Sequence, residues 1–292
     1  MARQDTTLLK ISPDPIASPS PTETSLIGAR RNYNNIQEAL AALPEIAGSI
    51  EAQTGWTLDL SKVEFLVVTP QELQRRCLDD VSRRTGIPTS IPQAFLAKAT
   101  ANMMLSAHHR SAMAVYLPSE RVIVMNEERL TGVSKDSVKS SLHHELTHAA
   151  QHQRFPQFVA SVDRLTRELK LLSKHGGDVP VDIRHLEVEK LEDQASARGT
   201  LLESQALELQ RRYEREFDLH PEVKHGPIEA ALGLMSMLTL RGPEKIRHSV
   251  MAQAVFSKIQ DAGTKAVDLL FQEPRWTDAL FGKKFPSKRN ET

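Results

Sequence analysis

Apolar residues recur at helical spacing between residues 34 and 54, where Ile36, Leu40, Leu43, Ile46 and Ile50 share one face. The short run Val63 to Val68 (VEFLVV) is β-branched and apolar, the pattern of a buried strand. Thr69-Pro70 then opens another helix, in which Cys77 reads as an inert, half-buried thiol. Two further β-rich runs, 112–117 (AMAVYL) and 121–126 (RVIVMN), flank Pro118-Ser119-Glu120 and predict a hairpin. From Asp136 the pattern is helical almost to the end. Breaks are expected at Lys174-His175-Gly176-Gly177, at His220-Pro221, at Gly242-Pro243 and at Gly263. A small early sheet followed by helices predicts an α+β fold, mostly α, with a helical C-terminal half. No internal repeat appears at solenoid periods.

Residues 12–25 (SPDPIASPSPTETS) hold four of the 16 prolines, so the first 26 residues read as a disordered tail. The chain has 292 residues, with 37 Lys and Arg against 37 Asp and Glu. That balance argues against a nucleic-acid partner. One cysteine excludes an internal disulfide framework. The N-terminus lacks the apolar core of a signal peptide, and Ala230 to Leu240 is too short to span a bilayer. A cytoplasmic location is the default expectation, with non-classical secretion left open. The sequence does not give an oligomeric state.

The 11 histidines are the remaining clue, because imidazole is the commonest metal ligand. Ser141 to Phe155 reads SLHHELTHAAQHQRF and contains His144-Glu145-Leu146-Thr147-His148, an HExxH pattern. Chance placement in this composition gives roughly 0.03 such matches, so the pattern carries weight. On a helix, residues four apart stack, and both imidazoles can reach one ion. With Leu142 at zero and about 100° per residue, Leu146, Ala149 and Ala150 fall near 40°, 340° and 80°. His144 and His148 fall near 200° and 240°, on the opposite face. The helix therefore packs one side on a core and lines a cleft with the other. Glu145 is placed to activate water.

Zinc in a catalytic site takes three protein ligands. His152 shares the side of the two histidines but lies about 12 Å beyond His144 along a continuous helix, which suits a supporting role. No Gly turns the chain between His148 and Phe155 to bring in a later histidine. A carboxylate on the helix expected over 183–218 is the remaining source. Glu203, flanked there by Leu202 and Ala206, needs a partner if buried. Glu187, Glu192 and Glu208 share that helix, and the spacing alone does not choose among them.

HELTHAAQHQRF followed about 50 residues later by LLESQALELQRRY resembles the gluzincin zinc metallopeptidases. It is most similar to a bacterial group with motifs of the form HEhtHAlQDQ-F and a downstream vEGdA helix. The resemblance implies that His144, His148 and Glu203 bind zinc and that Glu145 is the general base. Gln151 and Gln153 match the group's glutamines. His152 stands where its Asp is usual, and Ser204-Gln205 replace its Gly-Asp. A weaker echo lies in Gly263 to Pro274. The likeness covers about 112–285 and is specific only at 143–155 and 201–207. It implies a zincin-like subdomain over 27–156 with the active-site helix, and a helical subdomain over 157–292 with the third ligand.

One departure stands out. No Asp follows Glu203 by four residues; Leu207 is there, and Asp193 or Glu208 are the candidates to orient a ligand histidine instead. Among Tyr213, His220, His225 and His248, the loop residue His225 is the best candidate to stabilise an oxyanion. Residues 121–126 suit a substrate-binding edge strand, although their lack of a polar face fits a covered strand equally well. The function implied is hydrolysis of peptide or protein substrates by a zinc metallopeptidase. The alternatives are a catalytically silent zinc-binding interaction protein and a narrow-specificity secreted effector protease.

Overall fold

A computed structural model describes residues 26–86, 113–175, 181–221 and 254–282. His225, His248, Gly242-Pro243, the stretch 230–240 and all but the last residue of the N-terminal tail lie outside them. The fold is α+β and mostly α. In chain order the elements are α1 (Leu26–Ala41), α2 (Leu43–Thr54), β1 (Glu64–Val68), α3 (Pro70–Thr85), β2 (Ala114–Leu117), β3 (Val122–Asn126) and the single turn α4 (Glu127–Leu130). Next come α5 (Lys135–Arg154), α6 (Pro156–His175), α7 (Val181–Glu216), α8 (254–261), α9 (Thr264–Gln272) and α10 (Pro274–Phe281). No helix among the described residues is long and apolar enough to cross a membrane.

Two compact units are present. Of the described residues, the first takes 26–80, 113–150 and 209–221, and the second takes 81–86, 151–175, 181–208 and 254–282. Helices α3, α5 and α7 contribute to both.

In the first unit the sheet order is β1-β3-β2, with β1 parallel and β2 antiparallel to β3. All five residues of β3 are buried. Of the two readings open for 121–126, this favours the covered strand over the substrate-binding edge. A run with no polar face has to be covered on both faces, and the pairing with β1 and β2 engages both hydrogen-bonding edges as well. Among the described residues the outer strands are β1 and β2. The expected helix over 34–54 is also split at Ala42. Pro44 lacks an N–H, and its ring crowds the carbonyl four residues back, so α2 starts afresh. It stops at Thr54, where Gly55 takes φ 70° and returns its N–H to Glu51 O at 2.7 Å. Cys77 is buried in α3 rather than half-buried.

Helix α5 begins where Ser134 Oγ accepts from Ser137 N–H at 3.2 Å. It ends at Arg154 because Pro156 disfavours helical geometry at Phe155, a break beyond those expected from the pattern. Leu142, Leu146, Ala149 and Ala150 are fully buried, as their shared face requires.

The second unit packs aromatic residues at the α5–α6 junction. Phe155 stacks on Phe271 at 4.7 Å, and Phe158 meets the same ring edge-on at 4.9 Å. Arg198 grips Asp278 with two hydrogen bonds, of 3.0 and 2.8 Å. Arg84 pairs with Asp163, and Arg167 donates to the carbonyls of Thr85 and Arg84 at the end of α3.

Candidate metal centre

The HExxH helix forms as expected, and α5 presents His144 and His148 on the half-buried side opposite its apolar face. Their Nε2 atoms stand 3.2 Å apart. Two nitrogens each about 2.0–2.1 Å from one tetrahedral ion stand about 3.3–3.4 Å apart, so the pair is already spaced as ligands. Two imidazoles at that spacing suit a divalent metal. The sequence argument for Glu203 through burial needs correction, because this residue, which belongs to the second unit, is exposed.

Helices α5 and α7 run antiparallel. Ser140 and His144 bond to Glu214 and Gln210, whereas Gln151 further along α5 bonds to Leu202 and Gln205, earlier on α7. The buried Gln151 amide donates to Leu202 O at 2.9 Å and to Gln205 Oε1 at 2.8 Å. That fixes the α7 backbone one residue before Glu203. This matched glutamine therefore acts by holding a helix in place.

Glu145 is oriented by the sheet. One of its carboxylate oxygens accepts from Tyr116 N–H of β2 at 2.7 Å. Tyr116 and Ile123 are paired across the two strands, and the Tyr116 N–H points away from β3. A cleft of about 240 Å³ opens beside His144 and Glu145 and is lined also by Met113, Ser137, Ser141 and Pro221.

Other candidates fall elsewhere. His152 is half-buried. Tyr213 is fully buried, and its hydroxyl donates to Glu45 Oε1 at 2.8 Å, away from an oxyanion role. Burial and that carboxylate raise its pKa. His220 is exposed, 3.5 Å from Asp218. His225 lies outside the described residues. Beside His144 stands Gln210, with Nδ1 to Oε1 at 3.1 Å. Gln210 lies two helical turns after Glu203 and thus on the same face, a signal that was available from spacing.

His143 is turned inward and completely buried, with its ring stacked on Tyr213 at 4.5 Å. Neither ring nitrogen has a hydrogen-bond partner among the described residues. Desolvation, helped by the neighbouring His144, lowers its pKa to about 3. The unfolded chain takes up this proton below about pH 6.5, whereas the folded chain resists until about pH 3. Stability is therefore lost as pH falls through that window, by about 1.4 kcal/mol per pH unit at full slope. Chelator-treated His143→Phe is expected to lose this contribution. Urea unfolding between pH 6 and 4 should show a slope shallower by about one proton. An unchanged slope refutes the assignment.

No protein-family model, curated protein or solved structure matches the chain.

Proposed function

We propose that this chain is a zinc-dependent metallopeptidase that hydrolyses peptide bonds in peptides or proteins. The observation that carries the reading is the 3.2 Å spacing of the His144 and His148 Nε2 atoms, with Glu145 between the two histidines on the same helix. Zinc held by such a set supplies a Lewis acid that lowers the pKa of water and polarises a carbonyl.

The chain's own groups do the rest. His144 and His148 present Nε2 atoms at a fixed spacing, and Glu203 contributes the third donor. Glu145 takes a proton from the attacking water and hands it to the leaving amine. Tyr116 N–H steadies that carboxylate from the β2 edge. An extended substrate lies along the same outer strand, where backbone groups turned away from β3 are able to pair with it.

Two measurements test this together. Purified protein should carry about one zinc per chain. A proteome-wide screen for new N-termini should show cleavage by the wild type that is absent with Glu145→Gln. Identical products from the two proteins, or none from either, refute the peptidase reading. Zinc without cleavage points to the silent binding protein instead.

A further inference from the structure

We infer that Gln210 is a positioning residue that fixes the tautomer of His144 and so directs its Nε2 lone pair toward the metal. The inference rests on the metal centre proposed above. All the groups involved belong to the first unit.

The orientation of an amide is decided by its partners. Gln210 Nε2 lies 2.9 Å from Glu214 Oε1 and 2.7 Å from Ser140 Oγ. An ionised carboxylate only accepts, so the NH2 group faces Glu214. The Ser140 hydroxyl donates its proton to the same Glu214 oxygen at 2.5 Å. Its lone pairs are then turned to the second Gln210 N–H. Both amide protons are thus engaged, and flipping the amide sets oxygen against oxygen.

Gln210 Oε1 accordingly faces His144 Nδ1, 3.1 Å away. An amide oxygen accepts and cannot donate, so Nδ1 must carry the proton. A neutral imidazole has one such proton, which leaves Nε2 bare. Nε2 is the atom of His144 that stands 3.2 Å from His148 Nε2. Without an acceptor at Nδ1, the proton is free to sit on Nε2, where it blocks coordination. Ser140 and Glu214 act one step further out by locking the amide. This arrangement answers the missing carboxylate four residues after Glu203. A neutral amide from the next turns of α7 performs the orientation, without adding negative charge beside the ligands.

The test uses the full chain at about pH 8. Long-range proton–nitrogen NMR on metal-free protein reads which ring nitrogen of His144 is protonated. Competition titration reads zinc affinity. Gln210→Met is expected to remove the Nδ1–H form and to weaken zinc binding about 10–100-fold. The double replacement Gln210→Glu with Glu214→Gln exchanges acceptor and donor and is expected to restore both readings. A merely structural role for Gln210 does not predict that rescue. Retention of the Nδ1–H form and full zinc affinity in Gln210→Met overturns the inference, as does failure of the double variant to restore them. A wild type that binds no zinc removes the metal centre, while the tautomer in metal-free protein still decides the role of Gln210.

Discussion

Glu145→Gln is expected to retain zinc and to lose peptide cleavage by about 10²–10⁴-fold, the range that a positioned general base contributes. The replacement keeps the side chain's shape. Its amide oxygen is still able to accept from Tyr116 N–H, the bond of 2.7 Å that orients Glu145 in the native chain. What disappears is the ability to take up and return a proton. The metal ligands are untouched, so zinc content and melting temperature should match the wild type. Residual cleavage within a factor of two of the wild type shows that another group is the base. Loss of zinc together with activity shows instead that Glu145 is a ligand, and that the division of roles across HExxH is wrong.

The second large effect concerns the third ligand. Glu203→Ala and His148→Ala are each expected to weaken zinc binding by more than the roughly 10–100-fold typical of a supporting residue. Both should also remove most of the stabilisation that zinc confers on the folded chain, because binding to the folded state alone raises stability. Calorimetric melting with and without zinc measures this directly. Comparing each variant with the wild type in chelator and then with zinc separates the metal's contribution from any other loss. Equal zinc affinity in Glu203→Ala and the wild type removes this residue from the centre.

Local patterns were read with most success where the physics is local. The two faces of α5 follow from a period of 3.6 residues, and the buried set Leu142, Leu146, Ala149 and Ala150 matches the helical wheel. The β2–β3 hairpin was equally clear, but its place in the sheet was not. The parallel pairing of β1 with β3 joins residues far apart in sequence, and that pairing encloses β3. Two prolines explain two missed breaks: Pro44 starts α2, and Pro156 ends α5. Glu203 is exposed, so burial gives no reason for its role. Gln210 shares its helical face, but a lone amide on a charged helix carries no metal-site signature in the sequence.

The sequence by itself determined the spacing of His144 and His148 and the placement of Glu145 beside them. Those relations lie within about one helical turn, where backbone hydrogen bonding leaves few alternatives. Only the tertiary structure decided what surrounds them. It brings Gln210 to His144 across 66 residues and the Tyr116 amide to Glu145 across 29. These approaches depend on the antiparallel register of α5 with α7 and on which strand occupies the sheet edge. Both are set by long-range packing of apolar faces, which a periodic pattern announces without naming its partner.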